Sequence, residues 1–182
     1  TVGAMLDKAD FYMMPMVNPD GAESNRRATS NGIDLNRDQS KMDTPEAVVL
    51  NQMTARIRPH VALDFHEYHS IRSDFNQITT DVISTPWDVM FLYSSNPNVP
   101  QPLRAMVDDL FLVNAKADLD KNGLTHHTYY TSRKDFGEVY FNLGGSSPRS
   151  TSSAMALKNT VSVLFEIRGL KLNRISMKRR VY

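Results

Sequence analysis

Residues Val161–Ile167 read VSVLFEI. β-Branched and aromatic side chains in an unbroken apolar run suit a buried strand, so a strand is predicted here. The exception is Glu166, held between Phe165 and Ile167. A carboxylate in such company is costly unless it is paired or put to work. Partial desolvation raises its pKa, which suits a general base that takes a proton from water. The plainer alternative is an ion pair with Arg168 or another arginine.

Working outward, Ser152–Asn159 predicts a short helix feeding that strand, and Val61–Phe65 (VALDF) a second strand. Pro45 behind Thr44 opens a helix whose apolar face would be Val49, Leu50, Met53 and Ile57, ending at Pro59. Phe11–Val17 (FYMMPMV) reads as a buried first strand running into the turn signal Asn18-Pro19-Asp20-Gly21. Pro102 starts the clearest helix, with Leu103, Met106, Val107, Leu110, Val113 and Ala117 on one face and Gly123 as its stop. Residues 70–100 read as an irregular surface excursion. Strands alternating with helices predict an α/β fold: a mixed, partly parallel sheet flanked by helices. In such sheets ligands sit at the carboxyl ends of the strands, which is where His66 and Glu166 fall.

Composition narrows the class. The 182 residues carry a net charge of +1, so no field recruits nucleic acid. No apolar run approaches the roughly 18 residues of a membrane span. The absence of cysteine removes disulfides and thiolate zinc sites. It suits a periplasm as well as a cytosol. The last twelve residues, KLNRISMKRRVY, hold five Lys or Arg and read as a solvated segment or a basic patch.

Val17–Asp38 (VNPDGAESNRRATSNGIDLNRD) contributes almost nothing apolar. Asp20-Gly21 and Asn31-Gly32 are turn signals that would fold it back and present Arg26, Arg27, Asn36 and Arg37. An Arg fork with an Asn amide beside it matches a carboxylate, and an Arg near a scissile carbonyl stabilises oxyanion charge. The bland reading pairs these arginines with Asp34 and Asp38. In DFHEYH, the His-Glu-x-x-His spacing of a helical zinc motif is absent. His66 stands alone, with Asp64 two residues earlier on the same side of the strand to orient it.

The order of these signals resembles the zinc carboxypeptidases of the carboxypeptidase A-like family. NPDG comes first, then Arg27 nine residues before the Asn of DLNR, then Pro-Glu opening a helix, D-x-H closing a strand, and a strand-borne FEIRG. The resemblance covers about Phe11 to Gly169. It implies that Asn36 and Arg37 clamp the free C-terminal carboxylate of a peptide. It makes Arg27 the carbonyl-polarising arginine, His66 a zinc ligand and Glu166 the general base. A substrate-covering tyrosine is also implied, for which Tyr140 is preferred over Tyr130.

Zinc in this family is held by two His and one Glu, a set that comes with the resemblance and not from the spacing here. The family's upstream H-x-x-E is missing. None of His60, His66, His69, His126 and His127 has Glu three residues on. The expectation is therefore one partial catalytic domain over residues 1–182, without its first strands and a final helix, that alone binds zinc weakly and hydrolyses little. His69, His126 or His127 could complete a substitute site. Gly144–Arg149 (GGSSPR) reads as a plain turn or a specificity loop, and Arg133 or Arg149 could favour acidic side chains. Two other functions fit the residues: a zinc deacylase or amidase on N-acyl amino acids or cell-wall peptides, and a metal-free carboxylate-binding module. A periplasmic or secreted location is favoured over a cytoplasmic one.

Overall fold

The computed structural model describes residues 2–169. The basic terminal segment, residues 171–182, lies outside them. The elements run α1 (Val2–Leu6), α2 (Pro19–Glu23), α3 (Pro45–Ile57), β1 (Val61–Tyr68), β2 (Val89–Tyr93), α4 (Gln101–Met106), α5 (Val113–Lys121), β3 (His126–Thr128), β4 (Thr131–Asp135), β5 (Glu138–Asn142), α6 (Thr151–Ala156) and β6 (Val161–Arg168). Single 3-10 turns occur at Leu35–Arg37 and Ser73–Gln77.

Four strands form one sheet in the order β1-β6-β2-β3. β1 and β6 are parallel, β2 runs antiparallel to β6, and β3 is parallel to β2. This is the mixed, partly parallel sheet expected. VSVLFEI is its buried centre: Val163 and Leu164 are fully enclosed. β4 and β5 make a separate two-stranded ribbon.

Side-chain alternation sorts the sheet into two faces. On one face, Val161 and Val163 join Val89 and Phe91, with Val107 and Leu112 of the long helical segment packed over them. On the other face lie Leu164 and Glu166, and α6, buried from Ser152 to Ala156, packs against β6 and β1. α3 lies outside α6, joined where Thr54 Oγ1 meets Met155 Sδ at 3.5 Å.

Several expectations are corrected. Phe11–Val17 forms no strand; Phe11, Tyr12, Met13, Met14 and Met16 are exposed. A strand needs a neighbour for its backbone groups, and none of the described residues pairs with this run. Residues 70–100 are not wholly irregular, because Val89–Tyr93 is a core strand. Its apolar run VMFLY stood among Pro and Asn pairs that masked it.

α3 buries Ala47 and Thr54, with Leu50 and Ile57 half-buried, whereas Val49 and Met53 are exposed. Its buried residues are small, so the largest apolar ones do not mark the packed face. Between α4 and α5 the helix winds wider over Val107–Leu112. That π stretch adds a residue and rotates the turns beyond it. The packed residues are Leu103, Val107, Phe111, Leu112, Ala115 and Leu119, while Met106, Leu110 and Val113 face out.

Candidate active site

The register of the sheet puts His66 directly opposite Glu166, with Met90 and His127 continuing the same row. Paired residues share a face, so both polar groups rise on the α6 side of the sheet. His66 lies inside β1, two residues before its end, not at its terminus. Asp64 Oδ2 holds His66 Nε2 at 3.0 Å. Burial opposes the charged imidazole, but the bond and charge of Asp64, helped by Glu166, prevail and hold its pKa above the ordinary value. Glu166 is pushed above the usual carboxylate range chiefly by burial, against the lowering charges of His66, Arg27 and Arg72. It makes no ion pair with Arg168; the Arg168 Nη1 donates to Pro86 O at 3.3 Å.

The NPDG segment is a single helical turn, not a β-turn. Asn18 caps it, its Oδ1 accepting from Gly21 N at 3.0 Å while its Nδ2 donates to Arg27 O at 3.1 Å. A Cβ on Gly21 would lie 2.2 Å from Asn18 Nδ2 and 2.6 Å from Arg26 O, so only glycine fits. Asn31-Gly32 does turn the chain, with Gly32 at φ +77°. Thr29 N donates to Ile33 O across it. Arg27 is 61% exposed and gives its Nε to Asp34 Oδ2 at 2.8 Å. Part of the bland reading is thus realised. The charge of Arg27 nevertheless acts on both His66 and Glu166.

Asp38 pairs with no arginine. Its carboxylate accepts from Asp43 N at 3.0 Å, Thr44 N at 2.9 Å and Thr44 Oγ1 at 2.7 Å. Thr44 in turn caps α3, so DLNRD is bolted to the start of that helix. Asn36 Oδ1 accepts from both Thr151 N (2.8 Å) and Thr151 Oγ1 (3.0 Å) at the start of α6. A backbone N–H can only donate, so the amide orientation is forced and Asn36 Nδ2 faces the other way as a donor. Arg37 is exposed, with Nη1 donating to Asn36 O at 2.8 Å. The GGSSPR loop is neither a plain turn nor a free wall. Gly145 O accepts from Ser95 N and Ser153 Oγ, and Arg149 O accepts from Gln39 N.

Tyr140 stands on the two-stranded ribbon. It lies on the exposed β5, its ring beneath Arg133 at 5.5 Å and its hydroxyl 3.5 Å from Glu138. Two residues that no sequence signal nominated adjoin the crevice, Arg72 and Tyr129. Tyr129 titrates high, from burial first and the charge of Glu166 second. The only sequence hint was a pair of tyrosines directly after a β-like HHT.

A zinc ion needs three protein ligands. The described residues contain no group of three His, Cys, Asp or Glu able to hold a metal. His69 contacts Ile71 O, His126 contacts Asp120 and His127 stacks on Trp87, so no substitute site forms among the described residues. These residues alone do not fit the metal.

Fold and site together define a class, a mixed-sheet α/β protein with a half-buried His–Glu pair towards the carboxyl end of its parallel strands. Comparison with known proteins narrows it. A family model described as zinc carboxypeptidase matches residues 1–46. "Probable carboxypeptidase 2" of Trichophyton verrucosum (strain HKI 0517) is 28% identical over 177 residues, which is 97% of this chain and 34% of that protein. "Carboxypeptidase 2" of Trichophyton equinum is 27% identical over 97% of this chain and 32% of its own length. The chain spans about a third of the length of the curated relatives it matches. No solved structure matches it significantly. The chain is thus similar to zinc carboxypeptidases, over its first 46 residues by the family model and over most of its length by the relatives.

Proposed function

We propose that the chain carries the carboxylate-binding and proton-transfer half of a metallocarboxypeptidase that removes C-terminal residues from peptides. The observation that supports this most directly is His66 opposite Glu166 in the parallel β1–β6 pair, with Arg27 close enough for its charge to act on both. Asn36 Nδ2 and the Arg37 guanidinium donate to the two oxygens of the terminal carboxylate. The terminal nitrogens of Arg27 face the scissile carbonyl oxygen, where negative charge develops. Glu166, already reluctant to stay charged, takes a proton from the attacking water and delivers it to the leaving amine nitrogen. A zinc ion with His66 among its ligands would supply Lewis-acid polarisation of the carbonyl and of the water. On this reading His66 is one of its ligands and two more come from outside these 182 residues.

The test is binding, which needs no turnover. An N-acetylated dipeptide with a free carboxylate binds this chain about tenfold or more tightly than its C-terminal amide, measured by NMR titration, and Arg37→Ala abolishes the preference. Equal affinity for acid and amide removes the clamp and the carboxypeptidase reading with it. A clear acid preference in a zinc-loaded longer protein that never hydrolyses peptides identifies a binding module instead.

A further inference from the structure

The crevice has a wall that none of the assigned residues explains. Arg72 is 7% exposed, and a buried guanidinium is costly to maintain. Its Nε and Nη2 fork onto Asp74 at 2.9 and 3.0 Å, and Nη2 also donates to Tyr130 O at 2.7 Å. Its plane lies against three rings, with Phe75 and Tyr129 at 5.4 Å and Tyr130 at 6.0 Å. Asp74 carries the hold further: Oδ2 accepts from Ser132 N at 3.0 Å, and its backbone O accepts from Ser132 Oγ at 2.9 Å. Two residues therefore grip the segment Tyr129–Ser132 on both sides.

That segment is aimed. Tyr129 N donates to Phe91 O at 2.8 Å, and Phe91 follows Met90, the residue paired with Glu166. Apolar residues of similar size often replace a buried ion pair without loss of stability, so such a pair earns its place by specifying geometry. A fork of five fixed donors stacked on rings does this where a lysine cannot.

We propose that Arg72, through Asp74, is a positioning residue that holds Tyr129 on the wall of the Glu166 crevice. This deepens the carboxypeptidase reading by adding a hydroxyl beside the base, in contact with the bound peptide. The charged groups acting on Tyr129 are Glu166, Arg72, Asp74 and Arg27.

Tyrosine-labelled full chain followed by NMR tests it. In the wild type, Glu166→Gln removes a negative neighbour and lowers the pH at which Tyr129 ionises by about half a pH unit. In Arg72→Met, with Val163 and Leu164 amides still protected, the same change leaves Tyr129 unmoved, because the ring has left the crevice. Arg72→Lys behaves like Arg72→Met. Peptide acid affinity falls about tenfold in Arg72→Met, the worth of one well-made contact. A full Glu166→Gln response in Arg72→Met overturns the proposal, and so does full rescue by lysine. If Arg72→Met does not fold, Asp74→Asn loosens the fork and takes the same comparison. The Tyr129 readout stands even if the chain ignores peptides, so failure of the peptidase reading is told apart from failure of the brace.

Discussion

Two polar regions carry residues that the sequence nominates for substrate contact, and they are built differently. The Asp34–Thr44 corner is tied from every side: Asp38 collects three donors, Asn36 two, and Gln39 joins both Leu35 and Arg149. The β4–β5 ribbon projects, every residue of β5 exposed, with Phe136 at its tip 99% exposed and at φ +49°. Of its two strands β4 is held, Ser132 by Asp74 and Lys134, near the tip, by Gln77. A pre-ordered corner meets a carboxylate without first losing conformational entropy, whereas a projecting ribbon must be ordered by whatever it touches. Tyr140 on the ribbon is accordingly a poorer candidate than Asn36 in the corner.

The contrast can be broken by substitution. The largest effect expected is at Asp38. Asp38→Ala leaves one buried and one part-buried backbone N–H and a buried hydroxyl without this acceptor, costing about 3 kcal/mol in denaturant unfolding. Despite burial, the hydrogen bonds to Asp38, led by that of Thr44, hold its pKa below the ordinary carboxylate value. A depressed folded pKa adds stability above the unfolded value of about 3.9 and loses it as pH falls through the folded one. The gap between wild type and Asp38→Ala should therefore hold at neutral pH and narrow as the pH falls below about 3.9. A gap constant with pH would show that the carboxylate's charge is not what binds the corner.

Gly21→Ala comes next, about 2 kcal/mol by the same assay, because the added carbon meets Asn18 and the Arg26 carbonyl. It should also loosen Arg27 and weaken peptide binding, which separates it from a remote defect. On the ribbon the sign reverses. Phe136→Asn relieves a bulky residue from a left-handed conformation that Asn tolerates, gaining about 0.5–1 kcal/mol. A loss of stability there would mean that Phe136 packs on something. Smallest of all, Tyr140→Phe should change peptide affinity by less than about twofold, since its hydroxyl reaches only Glu138. A tenfold loss would restore Tyr140 to the site and undo the comparison.

Local sequence was a good guide wherever neighbours in the chain are also partners. The strand at Val161, the helix behind Thr44-Pro45 and the turn at Gly32 all rest on residues within a few positions of one another. It misled where a distant segment decides. Phe11–Val17 has the composition of a buried strand and no strand beside it among the described residues. The face of α4–α5 slipped because a π turn changes the phase, which periodicity cannot foresee. Arg72 and Tyr129 stayed invisible, since they lie far apart in the chain and no motif joins them.

By itself, then, the order of residues determined the central strand at Val161, the helix behind Thr44-Pro45 and the turn at Gly32. These depend on side-chain volume, backbone preference and charge, all properties of short stretches. Only the folded chain decided that His66 stands opposite Glu166, that Thr151 forces the Asn36 amide outward and that Arg72 carries Tyr129 to the crevice. Each of those is a meeting of remote residues, set by strand register and by where a buried donor must find its acceptor.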